Sequence, residues 1–165
     1  MGNFVFYNNK TEVGREDGYF LMEKGKRDEL VFHFSSDCGF DAFEFDLGVD
    51  SITHERGIMT GDLGPVQGMY WTWQSGYIDF KLEGGWKNQP VQLHLGGCQY
   101  PFRADQKVRV HCTKEQYTYS FPSFLDGDFI SRLNATQSIT GWHIMSPRKE
   151  AVDWMQWLAT KMTAN

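Results

Sequence analysis

Phe43-Glu44-Phe45-Asp46-Leu47-Gly48-Val49 alternates apolar and polar side chains with a period of two. Successive side chains of an extended chain point to opposite faces, so Phe43, Phe45, Leu47 and Val49 share one face while Glu44 and Asp46 take the other. This is a strand half-buried against a core. Comparable signals occur at residues 4–7, 19–22 and 30–34 before it, and at 69–73, 77–82, 91–95, 107–112 and 117–121 after it. Eight or nine strands spaced this closely predict a mainly β fold, an antiparallel β-sandwich. Gly84-Gly85 and Gly96-Gly97 fall where turns or bulges are expected. From Ser146 the period changes. Ser146 as N-cap, Pro147 at the first helical position, and Ala151, Met155, Leu158 and Met162 at intervals of three or four predict one C-terminal α-helix. A shorter helical turn is expected over 126–133, with Phe129, Ile130 and Leu133 inward.

The 165 residues show no repeat and no Pro/Ser-rich linker, so residues 1–165 read as a single domain. With 41% hydrophobic and 22% charged residues the chain has the composition of a folded protein. Its formal net charge is −5 and its basic clusters are short, such as Lys24-Gly25-Lys26-Arg27, which argues against a phosphate-tracking surface and hence against nucleic acid as a partner. Apolar runs are only a few residues long, so no transmembrane segment is expected. Met1-Gly2-Asn3-Phe4 shows no basic segment leading into a long apolar one, and no secretory signal is expected in this chain. Three cysteines, Cys38, Cys98 and Cys112, allow one disulfide; the candidate pair is Cys98 with Cys112 across an expected hairpin, leaving Cys38 free, and only geometry decides it.

The motifs of phosphate loops, nucleophile elbows, zinc proteases and dinucleotide folds are all missing, which favours a non-enzymatic role. Glu44 and Asp46 share a strand face as a catalytic carboxylate pair would, but a solvated face accounts for them equally simply. His33, His94 and His111 lie in expected strands, and strand histidines are more often hydrogen-bonded or surface residues than ligands. His143 and Met145, two apart, face one side of an extended segment and form a soft-leaning donor pair. The stretch 51–68, which holds His54, Asp62 and Gly64-Pro65, has little alternation; loops of this length in a compact domain usually carry function. The densest aromatic segment follows it, with Trp71 and Trp73 on one face beside Met69. It reads as sandwich core, or as an aromatic wall around a site.

Leu47-Gly48-Val49-Asp50-Ser51, Thr60-Gly61-Asp62-Leu63, Gly68-Met69-Tyr70-Trp71-Thr72-Trp73-Gln74-Ser75-Gly76-Tyr77 and Lys81-Leu82-Glu83-Gly84 follow one another in an order that resembles the MbnP-like family. That family is named for a methanobactin-associated periplasmic copper-binding protein, and the version here looks closest to the Bacteroidetes form. His94-Leu95-Gly96-Gly97 and the ending His143-Ile144-Met145-Ser146-Pro147 resemble further family segments. The strand and tyrosine-rich segment with which the family begins have no counterpart before residues 4–7. The resemblance implies a periplasmic or secreted β-sandwich that binds copper as Cu(I). It also implies histidine ligands beside a tryptophan oxidised to kynurenine by a partner di-haem enzyme. On that basis His54 and His94 are the leading metal ligands, with His143 and Met145 behind them. Trp71 or Trp73 is the oxidisable residue, and Asp62 and Gln74 are the groups expected to orient the ligands by hydrogen bonds. The alternative expectation is a metal-free binding module that engages a glycan or a protein through its aromatic surface.

Overall fold

The structure is a computed structural model that describes residues 1–33, 39–71, 76–112 and 126–163. Cys38, Trp73, Gln74 and the strand expected at 117–121 lie outside the described residues.

The chain opens with a hairpin of β1 (Gly2–Asn8) and β2 (Thr11–Tyr19). Asn9 and Lys10 join the strands at φ 48° and 68°, the two-residue turn whose twist matches that of paired strands. Gly48 ends β3 (Ala42–Leu47), which pairs with β1 on one side and with β8 (Gln106–His111) on the other. The resulting antiparallel sheet has the order β2-β1-β3-β8. On its outer face Glu44 stands opposite Arg109 and Asp46 opposite Lys107, with ion pairs of 2.9 and 2.7 Å. The two carboxylates considered as a catalytic pair are thus engaged in cross-strand pairing, Glu44 partly exposed and Asp46 buried, and cross-strand pairs of opposite charge contribute about 0.2–1 kcal/mol each.

A second hairpin joins β6 (Phe80–Trp86) to β7 (Gln89–Leu95) through Lys87 and Asn88, again both at positive φ. Residues His143–Ile144 (β9) add to β7 in parallel, so the smaller sheet, β6-β7-β9, is not purely antiparallel. Between the two sheets in sequence lie α1 (Ser51–Glu55), two single 3-10 turns, and a two-strand ribbon, β4 (Tyr70–Trp71) and β5 (Gly76–Tyr77). The stretch 51–68 is therefore largely structured. Asp50 caps α1 by accepting from the Thr53 N–H at 2.8 Å, and it also takes the Tyr19 hydroxyl proton at 2.5 Å.

Phe4, Phe6, Phe45 and Val108 from the larger sheet meet Leu93, Leu95 and Ile144 from the smaller one in a single apolar cluster. Helix α2 (Gly127–Thr140) contributes Phe129 and Leu133; α3 (Lys149–Thr163) contributes Trp154, Met155 and Leu158. Because α3 lies against both β8 and β7, it bridges the two sheets. The fold is mainly β with antiparallel sheets and a C-terminal helix, as the alternation indicates.

Four local expectations change. The strand expected at 19–22 lies instead at 11–19, as β2, whose largely polar and exposed residues hide it and which is held by the β1 ladder rather than by burial. Residues 30–33 are not a strand: Leu30 and Phe32 dock on the core while Val31 and His33 stay exposed, which imitates alternation without any pairing. The turn at 126–133 extends to residue 140, capped by the Asp126 carboxylate on the Phe129 N–H at 2.8 Å. Helix α3 begins at Lys149 rather than at 147, because residues 143–144 are drawn into the β7 ladder first.

Cys98 and Cys112 are both free, which corrects the expected disulfide. Cys112 is anchored by its N–H on the Asp41 carbonyl, at the end of β8 near Ala42. Cys98 follows Gly97, whose carbonyl takes the Ala104 N–H near the start of β8. A six-residue strand, roughly 20 Å, separates the two positions, far beyond what a disulfide spans.

Candidate functional site

The β4–β5 ribbon lies over the end of β7. Gly96 has no side chain to resist it: a Cβ there would stand 3.1 and 3.2 Å from Cζ3 and Cη2 of Trp71. Gly76 plays the same part on the other side, where a Cβ would stand 3.9 Å from both Trp71 Cε3 and His54 Cε1. The Trp71 indole therefore occupies a slot between two glycines, and the His54 imidazole flanks the same slot. Trp71 is 4% exposed and His54 8%.

His54 comes from α1, which the Asp50 cap fixes in place. The Tyr77 N–H points at its Nδ1 at 3.4 Å, and the Tyr77 and His54 rings meet edge to face at 5.1 Å. The Tyr77 hydroxyl in turn donates to the Gly57 carbonyl at 3.0 Å and accepts from the Met59 N–H at 3.1 Å, closing the loop around the histidine. His54 Nε2 is buried and has no hydrogen-bond partner among the described residues. Burial lowers the pKa of this ring, opposed by the charges of Asp105 and Asp50, which keeps the imidazole neutral at neutral pH.

His94 lies two residues before Gly96 on β7, on the face opposite the buried Leu93 and Leu95. It is 6% exposed. Its Nε2 donates to Glu83 Oε1 at 2.8 Å, and Lys81 reaches Glu83 Oε2 at 3.4 Å. The hydrogen bond from His94 and then the Lys81 charge hold the Glu83 carboxyl below its ordinary pKa. No hydrogen bond engages His94 Nδ1 among the described residues.

The parallel register pairs Gln92 with His143 and Leu93 with Ile144. Continued by one residue, it sets Met145 beside His94. Met145 is half-buried there, whereas His143 is exposed. His33 and His111 are exposed and stand on other elements. The structure thus sets His54 and Trp71 side by side at Gly76, places His94 two residues before the Gly96 that Trp71 covers, pairs the residue before Met145 with Leu93, and leaves His143 on the surface.

Asp62, expected to orient a ligand, is taken by the Leu21 N–H at 3.0 Å and by Arg27. The carboxylate that does reach a candidate histidine is Glu83. It was missed because its contact depends on the cross-strand register of β6 and β7, which no sequence spacing reports. Tyr77, the last aromatic of the motif, meets His54 through its backbone N–H as well as through its ring.

A cavity of about 40 Å³ lies beside this region, lined by Tyr19, Val49, Leu63, Met69, Tyr77 and Asp79 among others. Asp79 enters because Gly48 has no Cβ; one would stand 2.7 Å from the Asp79 Cγ. Its Oδ1 accepts the Val49 N–H at 2.8 Å, while Oδ2 is buried with no hydrogen-bond partner. Burial pushes its pKa well above the ordinary carboxyl value. An unfolded chain releases this proton near pH 4 while the folded protein retains it, so stability is full at low pH and is lost as pH rises. The slope is up to about 1.4 kcal/mol per pH unit. Asp79→Asn is expected to stabilise the protein by an amount that grows as pH rises above about 4, as read by urea denaturation. A difference that does not change with pH would contradict the buried neutral carboxyl.

Among the described residues no group of three or more His, Cys, Asp and Glu side chains is placed to hold a metal ion. Among them, too, no helix is long and apolar enough to cross a membrane. No curated protein and no solved structure matches the chain. The MbnP family model matches residues 1–125, well over half of the 165, and the chain belongs to the MbnP family.

Proposed function

We propose that the protein is an extracytoplasmic copper-binding protein, periplasmic or secreted, that holds Cu(I) between His54 and His94 beside Trp71. One observation carries this reading. The His54 imidazole, more than nine-tenths buried, flanks the Trp71 slot with its Nε2 buried and without a hydrogen bond among the described residues, and His94, as deeply buried, stands two residues from Gly96 with no hydrogen bond on Nδ1 among them. Leaving the buried His54 Nε2 without a partner costs about 1–3 kcal/mol, and a metal ion removes that cost.

The donor set suits the ion. Neutral imidazole and thioether sulfur are ligands for Cu(I), and Met145 supplies the sulfur at the edge of the slot. Bound copper supplies a soft Lewis acid held in a low-coordinate, water-poor site. Ligation through His54 Nε2 requires the ring proton on Nδ1, so the Tyr77 N–H contact is given up. At 3.4 Å that contact is long, and giving it up costs about 1–3 kcal/mol, because the Tyr77 N–H is left facing a protonated Nδ1.

Trp71 is the residue of the aromatic motif that stands in the slot, and it is the one we assign as oxidisable. A di-haem partner enzyme is the oxidant that the family resemblance implies. Storage or delivery of copper, rather than catalysis, is the role assigned to the chain. The described part of the motif does not favour a glycan-stacking surface, since Trp71 and Tyr77 are buried.

Titration of the purified protein with Cu(I) against a chromogenic chelator tests the reading. Binding of one equivalent is expected, with His54→Ala and His94→Ala each weakening it by about a hundredfold or more. Undiminished affinity in both variants, or no uptake by the unmodified protein, would overturn it.

A further inference from the structure

Neutral histidine has one ring proton, and whichever nitrogen donates it cannot bind a metal. On His94 the donor is Nε2, because the atom 2.8 Å away is a carboxylate oxygen of Glu83, which only accepts. Glu83 is itself held. It shares β6 with Lys81, whose ammonium lies 3.4 Å from its second oxygen, and the β6–β7 register sets Lys81 opposite His94. Glu83 is about half exposed whereas His94 is buried, so the proton-bearing side of the imidazole faces outward along the strand pair. The other side carries Nδ1, on a residue two positions from the glycine that the Trp71 ring covers.

We propose that Glu83 is the positioning residue of this site: by accepting the Nε2 proton it fixes the ring orientation and tautomer of His94 and leaves Nδ1 as the nitrogen that binds Cu(I). The metal half of this statement rests on the copper reading above; the tautomer half does not. The two histidines then differ in their ligating atoms, Nε2 on His54 and Nδ1 on His94. Their metal-free contacts differ too: a backbone N–H meets His54 Nδ1 and is given up on ligation, whereas a carboxylate meets His94 Nε2 and is kept. A carboxylate behind a ligating histidine orients the ring and raises its basicity, and its loss lowers metal affinity about 10–100-fold.

The test uses metal-free protein labelled with ¹⁵N in histidine. A ring proton on His94 Nε2, slow to exchange and shifted downfield, is expected in the unmodified protein. It should persist, shifted upfield, in Glu83→Gln, whose amide oxygen still accepts, and disappear in Glu83→Ala. Titration of the same three proteins with Cu(I) should show a 10–100-fold weaker affinity for Glu83→Ala and substantial recovery in Glu83→Gln. A proton on Nδ1, or an Nε2 proton unchanged in Glu83→Ala, overturns the assignment of Glu83 whatever the copper result. The expected proton pattern in a protein that takes up no Cu(I) supports Glu83 as the orienting group while removing the copper reading. A circular dichroism spectrum unchanged in the Ala variant separates loss of the hydrogen bond from loss of the fold.

Discussion

Gly97→Ala is expected to destabilise the protein by about 4 kcal/mol, from overpacking against fixed backbone together with a backbone conformation that side chains avoid. A Cβ at this position would stand 2.1 Å from the Phe102 carbonyl oxygen and 3.2 Å from the Pro147 Cβ. Neither is the free end of a flexible side chain. The Gly97 carbonyl also takes the Ala104 N–H at 2.8 Å, so residue 97 cannot withdraw without opening the loop that leads to β8. At φ 148° the residue lies where an L side chain adds strain of its own. Equilibrium denaturation in urea measures the loss. A variant within about 1 kcal/mol of the unmodified protein would mean that the loop moves aside at little cost, contrary to the packing described.

The second large effect is at the residue with which the strand pattern begins. Phe45→Ala should cost about 3–5 kcal/mol, the range for deleting a fully buried aromatic side chain. Phe45 is completely buried on β3, stacked on Phe4 at 5.2 Å and on Phe43 at 6.0 Å between ring centroids. Deleting it removes both pairs and leaves a cavity between the sheets that rings attached to strands cannot easily fill. Phe45→Leu, which keeps most of the volume, should lose clearly less. Equal losses in the two variants would show that shape, rather than buried volume, governs the position.

The larger features of the fold were legible because they are periodic. Phe43, Phe45 and Leu47 all turn inward, and Ala151, Met155, Leu158 and Met162 form the buried stripe of α3. Features that depend on partners were not legible. Strand β2 buries almost nothing and exists because β1 pairs with it, and two residues of β9 form a strand only because β7 runs beside them. The two tight turns did leave a mark in the sequence, Asn9-Lys10 and Lys87-Asn88, since asparagine tolerates positive φ.

The candidate site divides in the same way. His54, Trp71 and His94 were named through the family resemblance, and it is Gly76 and Gly96 that let Trp71 lie against His54 and the end of β7. Glu83 required the register of two strands, and the free state of Cys98 and Cys112 required knowing that β8 runs between them. Spacing in sequence carries no information about the ends of a strand that another segment crosses.

The parallel joint between β7 and β9 gives the slot a composite origin. His54, Trp71 and His94 come from the portion matched by the family, residues 1–125, whereas Met145, the residue after the one paired with Leu93, lies beyond it. On the copper reading proposed above, a soft donor would be added, exchanged or withdrawn by changing a short segment ahead of α3, with the histidines and the glycine slot left untouched. Metal preference would then be adjusted from the tail of the chain, while the slot itself is built from its body.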